Sequence, residues 1–436
     1  RIQTLSLSDD VDYRIHLFNN ESLYIKNGSP SHFEYVTADG KVHPFTLDYY
    51  YYRSYQSKDG GYKPQRSGAY IFRAAGQNAT RYAVVPTTVQ IKRGSHFIEV
   101  TIKRESAVTT RLRFYNTTGI GGATPGVDIH VSSPMSQTIE IESLLGPINV
   151  SDQIGKEIVL RIEKTGINNR GVFYTNSNGL ENQKRIRNSK VTVNDSVAGN
   201  YYPVNSAIYI EDARTGDRVT LMNDRSQGGS SLEDGALEVM INRRCLEDDD
   251  RGVDEPLNDE RPVEVKHWLT FSKGSLKQRL LQYDFDTAPL VYLSTAAQVN
   301  APQTSPSTQF PKVLKVDLVK FYIRVYNETE MIVRLHNLRE DQAVIVRGFL
   351  NKEAGSCQVL QEELLERLKP LIKIKDVKEV TLTTTQEKRE MLKNKYRWNG
   401  IGDESLNAPE QGSSQYESVL LAPLEEKVFL LTYSLT

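Results

Sequence analysis

Phe97–Lys103 reads Phe-Ile-Glu-Val-Thr-Ile-Lys, and its period of two decides the fold class. Ile98, Val100 and Ile102 fall on one side of an extended chain; Glu99, Thr101 and Lys103 fall on the other. That alternation is the pattern of a half-buried strand. Thr138–Glu142 repeats it as Thr-Ile-Glu-Ile-Glu. Further strand-like runs are Arg111–Tyr115, Glu157–Ile162, Ala207–Ile210, Val219–Met222 and Leu318–Val325. Turn-forming clusters at Thr118–Gly126, Gly166–Gly171, Asn176–Gly179 and Gln227–Ser231 punctuate them. Many short strands so separated predict a mainly β protein built of several β-sandwich domains. Helix is scarce. Val359–Lys369 sets Leu360, Leu364, Leu365 and Leu368 on one face before Pro370, and Gln386–Arg397 is a weaker second candidate.

The 436 residues suggest about three domains, at roughly 150 residues each. Ala296–Lys312, rich in Pro, Ser, Thr and Gln, reads as a linker, and Ser57–Arg66 interrupts two Tyr-rich runs. The expected division is a small β domain over 1–62, a large β-sandwich over 63–300 and a C-terminal sandwich with short helices over 301–436. A formal net charge of -1 argues against a nucleic-acid partner, which would call for a basic stripe. No segment approaches the roughly 18 apolar residues of a membrane span. Residues 1–20 lack the apolar core of a signal peptide. Arg1 in place of Met is read either as an arbitrary boundary or as the start of a mature fragment cut from a precursor. Asn-x-Ser/Thr triplets at Asn20, Asn27, Asn78, Asn116, Asn149, Asn194 and Asn327 favour the secretory pathway, Asn27 least because Pro30 follows its triplet. The two cysteines, Cys245 and Cys357, are open to pairing, to staying free or to bonding another chain.

The histidines His16, His32, His43, His96, His130, His267 and His336 are scattered, none paired at i, i+4 and none followed two positions on by Asp. Zinc needs several converging ligands, so no metal site is expected in this chain. No Gly-x-Ser-x-Gly elbow and no glycine-rich phosphate loop occurs either. Four other stretches are dense: GVFYTNSNGL at 171–180, GNYYPVNSAIYI at 199–210, NDRSQGGSSL at 223–232 and DGALEVMINRRCLEDDDRG at 234–252. NYYPVN presents aromatic rings beside a turn fixed by proline. SQGGSS allows close backbone approach. Arg243 and Arg244 offer planar forks suited to carboxylates or sugar hydroxyls. Each also has a plain structural reading as a turn, a bulge or an ion pair. Tyr49–Tyr52 reads as a packed strand or a sugar-stacking strip. Glu247–Asp250 reads as a solvated or arginine-paired loop, or as a cation site.

In this order over about 80 residues, these stretches resemble the C-terminal signature of the α-mannosidases of glycoside hydrolase family 38. SGAYIFR at 67–73, GPINVSDQIGKEI from Gly146, ETEMIVRLHNL at 328–338 and APLEEKVFLL at 422–431 extend the likeness over most of the chain. The resemblance implies a galactose-mutarotase-like super-sandwich lying behind an N-terminal catalytic part. In such proteins that part holds Zn²⁺ and the nucleophilic Asp, and the reaction is retaining hydrolysis of terminal α-linked mannose. It implies Tyr70 at the mannose pocket and Arg243 or Arg244 at its rim, with no catalytic or metal-binding residue in this chain. DRSQGGSSL is closer to the lysosomal or vacuolar acid enzymes than to the Golgi ones. The implied protein is therefore a lysosomal or secreted subunit, inactive alone, partnered by the N-terminal chain of the same precursor, with a higher oligomer left open. Two departures stand out: Asn176 where the family has Asp, and Cys245 where an apolar residue is usual. A mannose-binding lectin-like sandwich and a purely structural protein are the alternatives.

Overall fold

The computed structural model describes residues 2–59, 65–105, 107–117, 135, 137–176, 178–189, 196–274, 276–286, 319–340, 343–347, 372–396 and 418–435. The molecule is mainly β, and it divides into two compact units, Arg1–Thr287 and Ala288–Thr436.

The first unit holds two large antiparallel sheets. Ten strands run in the order Ile2–Leu5, Pro86–Arg93, Phe97–Arg104, Val108–Tyr115, Thr138–Leu145, Val263–Lys273, Asp217–Asn223, Ala207–Glu211, Val172–Asn176, Asn182–Ile186. The second sheet runs Tyr202–Val204, Gln227–Ser230, Ala236–Arg244, Lys156–Lys164, Val42–Arg53, His32–Val36, Ser22–Ile25, Tyr13–His16, with Thr80–Arg81 beside Val42–Arg53. One apolar cluster joins them. Ile98, Val100, Ile102, Leu112, Ile141 and Leu269 come from the first sheet, and Leu23, Phe45, Leu47, Ile158, Leu160 and Val239 from the second. Two sheets sharing one core make a sandwich. Each such side chain stabilises by about 1.5–3 kcal/mol, which is why alternation in sequence becomes two faces in space.

The alternation at 97–103 holds: Ile98, Val100 and Ile102 are core residues, and opposite-facing Glu99 pairs with Arg113 at 2.8 Å. A separate domain over 1–62 is not what forms. Ile2–Leu5 pairs with Pro86–Arg93, and Val42–Arg53 pairs with Lys156–Lys164, so these residues are spread through both sheets of the large sandwich.

A helix not expected from sequence, Leu276–Asp286, follows the last strand of this unit. Its buried positions include Gln278, Arg279 and Gln282 alongside Leu281, so no clean apolar stripe advertises it. Gln282 donates to the Gly179 carbonyl and Gln278 to Asn182 Oδ1, tying the helix to the loop at 178–182.

The second unit has a four-stranded sheet, Val319–Val325, Glu330–Asn337, Glu426–Leu435, Ile372–Val380, and a pair, Val344–Arg347 with Ser418–Leu421. Val333, Leu335, Phe429 and Leu431 of the sheet share a core with Val419 and Leu421 of the pair. A short helix, Lys388–Asn394, falls within the expected 386–397 segment. The expected helix at 359–369, the linker at 296–312 and Cys357 lie outside the described residues. Among the described residues no helix is long and apolar enough to cross a membrane.

Candidate functional site

Tyr70 sits on a turn rather than in a strand, and its side chain is exposed at 66%. The backbone beneath it is fastened at several points. The Tyr70 amide donates to Asp249 Oδ2 at 2.8 Å, and the Gly68 amide donates to the Ile71 carbonyl at 2.9 Å. Ser67 donates its hydroxyl to Glu157, and its amide to the Tyr55 carbonyl at 3.1 Å. Gln65 donates to the Asp249 carbonyl. Asp249 is wholly buried, so its carboxylate is a fixed acceptor for the turn.

Glu157 is the centre of this support. It has no exposed surface and accepts from Ser54 Oγ at 3.0 Å, Ser67 Oγ, Arg243 Nε and Cys245 Sγ at 3.4 Å. Burial works against the Arg243 charge, and Glu157 beside it more than restores it, holding the guanidinium above its ordinary pKa. Arg243 also donates to the Ile71 carbonyl at 2.8 Å, gripping the Tyr70 turn from below. Arg244 points elsewhere. It donates to Asn258 Oδ1, the Ile148 carbonyl and Glu260 Oε1, each at 2.7 Å. All three of its nitrogens are thus engaged in bracing loops. Cys245 is a free buried thiol, pushed up to about 12 by burial and by Glu157. It stays protonated and unreactive at neutral pH.

Arg243 also lines a cavity of about 840 Å³ walled by residues 225–228, 240–243 and 255–259. The wall mixes apolar Met240, Ile241, Pro256 and Leu257 with Gln227, Asn242, Glu255 and Asp259. Within the strand Gln227–Ser230, Gly229 is required by close approach: an added Cβ would lie 2.7 Å from Val204 Cγ2. Gln227 is held at both ends of its amide, donating to the Met240 carbonyl at 3.0 Å and meeting His267 Nε2 at 2.9 Å.

The tyrosine run is packed. Tyr49 and Tyr52 are buried, and the Tyr52 hydroxyl donates to buried Glu238 at 2.8 Å. Glu238 also accepts from Tyr201 of the NYYPVN stretch and from Arg161 at 2.7 Å. Phe72, two residues past Tyr70, meets the Tyr201 ring edge-on at 4.9 Å. The acidic run is arginine-paired: Glu247 lies 3.6 Å from Arg66, and Asp250 pairs with the same residue. Asn176 Oδ1 accepts from the Gly179 amide, so the asparagine keeps the turn without a charge. Among the described residues no three His, Cys, Asp or Glu side chains converge to hold a metal ion. The glycosylation candidates Asn20, Asn27, Asn78, Asn149 and Asn327 are exposed, Asn116 is half-buried, and Asn194 lies outside the described residues.

The structure thus places Arg243 under the Tyr70 turn, while Arg244 is hydrogen-bonded to Ile148, Asn258 and Glu260. Sequence reading missed Glu157, Asp249, Ser67 and Gly68 as support for the Tyr70 turn. The one available signal was a glutamate opening the run Glu157–Ile162, whose next three residues are apolar. Gly68 gives a direct test. A Cβ there would stand 2.6 Å from Asp249 Cβ and 2.9 Å from its backbone nitrogen. Gly68→Ala is expected to destabilise by about 1–3 kcal/mol, the usual cost of overpacking. Denaturant unfolding checks this; an unchanged midpoint would mean the turn and the 249 loop are not tightly joined.

The family model described as the glycosyl hydrolases family 38 C-terminal domain matches residues 37–251. An alpha-mannosidase of Canavalia ensiformis is 28% identical over 423 residues, covering 92% of this chain and 40% of the relative. The lysosomal alpha-mannosidase of Bos taurus is 36% identical over 278 residues, covering 61% of this chain and 25% of the relative. The chain therefore spans well under half the length of these curated relatives. A solved family 38 protein from Enterococcus faecalis aligns with a TM-score of 0.55 at 12% identity, covering 97% of this chain and 44% of the other. That likeness speaks to the fold.

Proposed function

Because this chain carries the C-terminal domain of glycosyl hydrolase family 38, we propose that it is the β-rich portion of an α-mannosidase that removes terminal α-linked mannose from N-glycan-type oligosaccharides. In this reading an N-terminal catalytic portion supplies the two carboxylates that glycoside hydrolysis requires. In the same reading that portion would hold the zinc that the resemblance implies. The likeness to a lysosomal relative supports an acid enzyme of the lysosome or secretory route, with exposed Asn-x-Ser/Thr sites available for glycans.

One observation carries the proposal for this chain's own part. Tyr70 is exposed, yet the turn that bears it is hydrogen-bonded to buried Asp249 and Glu157. An exposed ring on a fixed backbone is suited to complete a pocket, since little ordering remains to be done on binding. The phenol offers an apolar face and one hydroxyl, matching a sugar's C–H face and its hydroxyls. Arg243 is a positioning residue here: it holds the Ile71 carbonyl and the Glu157 carboxylate.

In the assembled enzyme Tyr70→Ala is expected to lower kcat/KM by about 10–100-fold, a loss of roughly 1.4–2.7 kcal/mol of transition-state binding. Tyr70→Phe separates the hydroxyl from the ring. Steady-state kinetics on both variants checks it; wild-type rates for Tyr70→Ala would sink the assignment. Size-exclusion chromatography with mass spectrometry of the native peak tests the partner. A lone chain that binds mannose without cutting it would favour the lectin-like alternative.

A further inference from the structure

The C-terminal unit carries a second cleft, of about 470 Å³, that the first site does not use. Its floor is the outer face of the sheet. Tyr322, Arg324 and Tyr326 occupy alternate positions and so share that face. Tyr322 is 45% exposed and Tyr326 60%. Across the ladder Tyr322 faces Arg334 and Arg324 faces Ile332, which is buried. Large exposed aromatics interleaved with arginine are costly on a plain surface and useful in a binding face.

The charges are one-sided. Among the lining residues Arg324 and Arg334 stand against the single carboxylate of Glu426, two against one. Glu426 is already bound to Arg334 at 3.0 Å, which orients that guanidinium. Among the described residues Arg324 makes no ion pair and stands exposed. The chain as a whole carries a net charge of -1, so this surplus is local.

The rim adds hydroxyls and strain. Thr383 and Thr384 line the cleft. Thr384 has φ 61°, a left-handed conformation that a β-branched residue rarely adopts. Its hydroxyl donates to the Thr383 carbonyl at 2.6 Å, while Thr383 Oγ1 and Thr385 Oγ1 lie 3.1 Å apart. Backbone strain of this kind persists where surrounding structure enforces it, and it clusters at ligand clamps.

We propose that this cleft binds a pyranose bearing an anionic substituent, a phosphate or a carboxylate. The tyrosine rings stack on the sugar's C–H face, Arg324 and Arg334 take the anion through charge-assisted hydrogen bonds, and the threonine rim meets free hydroxyls. The volume suits one or two sugar rings, small for a macromolecule. This site is independent of Tyr70 and of the reading built on it.

The test is ligand-observed NMR titration of the whole protein with glucose, glucose 6-phosphate, glucuronate and inorganic phosphate. The charged sugars, either or both, are expected to bind at least about tenfold more tightly than glucose or phosphate alone, a step of one decade in Kd. The glucose 6-phosphate and glucuronate arms distinguish the two anions. Tyr322→Ala and Arg324→Gln should each weaken binding about tenfold, Tyr322→Phe should retain it, and Tyr70→Ala should leave it unchanged. Tyr322 and Arg324 are exposed, so an unaltered thermal transition is expected to accompany the loss. Inorganic phosphate matching glucose 6-phosphate with no effect of Tyr322→Ala would reduce the cleft to a simple anion patch. No binding of any probe would overturn the proposal outright.

Discussion

Glu157→Ala is expected to destabilise the first unit by about 3–5 kcal/mol, the cost of breaking a buried charge pair from one side. The cause is local and specific. Glu157 is fully buried and serves as acceptor for Arg243, Ser67, Ser54 and Cys245 at once. Truncation leaves the mostly buried Arg243 guanidinium with the Ile71 carbonyl and the Ser67 hydroxyl as its remaining hydrogen-bond partners. It also removes the acceptor that anchors Ser67 at the base of the Tyr70 turn. Glu157→Gln keeps the shape and loses the charge, so about 1.5–3 kcal/mol is expected, the range for hydrogen bonds to charged groups. Urea unfolding of the three proteins, followed by a probe in the first unit, gives the ranking. Cys245 labelling gives a second readout, because its thiol is held high by burial and by Glu157. A Glu157→Ala protein within about 1 kcal/mol of wild type would mean the Tyr70 turn is held elsewhere, since surface changes rarely exceed half that.

Acidification from near pH 7 to near pH 4.5 is expected to remove roughly 2 kcal/mol of stability through each of two buried histidines, His267 and His43. Burial holds both well below the ordinary imidazole value, to about 4. The folded protein therefore prefers the neutral ring, while the unfolded chain takes up a proton near pH 6.5. Stability is full above that value and falls as pH drops toward 4. His267 shows why. Its Nε2 meets Gln227 Oε1, and its buried Nδ1 has no partner among the described residues, so a second ring proton would find no acceptor there. His43 lies flat against Phe271 at 4.5 Å, a packed apolar setting. Glu21 works the other way: burial raises its pKa, so its contribution grows as pH falls. Denaturant unfolding at the two pH values, in wild type and in His267→Gln, isolates the term. The variant should show a pH-dependent loss smaller by about 2 kcal/mol. An identical loss in both would show that His267 is not the titrating group.

The strand pattern was legible because burial on one face writes itself locally. Ile98, Val100 and Ile102 alternate with polar residues and reach the core as that spacing requires. The family motifs were legible as words in order, and the matched region at 37–251 covers them from SGAY to the acidic run. The helix at Leu276–Asp286 was not, because its buried positions include Gln278, Arg279 and Gln282, and polar burial leaves no hydrophobic period to read.

What sequence determined was therefore composition of the layers: which residues alternate, where turns fall, and which motifs are present. Tertiary structure alone decided the roles inside those motifs. Arg243 and Arg244 are neighbours in sequence, but successive side chains of a strand point to opposite faces. One closes on Glu157 under the Tyr70 turn; the other braces Ile148, Asn258 and Glu260. Glu157 is far from Arg243 and from Ser67 along the chain; the pairing of Lys156–Lys164 with Ala236–Arg244 brings Arg243 to it, and the turn held on the Tyr55 carbonyl brings Ser67. Contacts made by register across a sheet carry no local period, and so no single stretch of this sequence announces them.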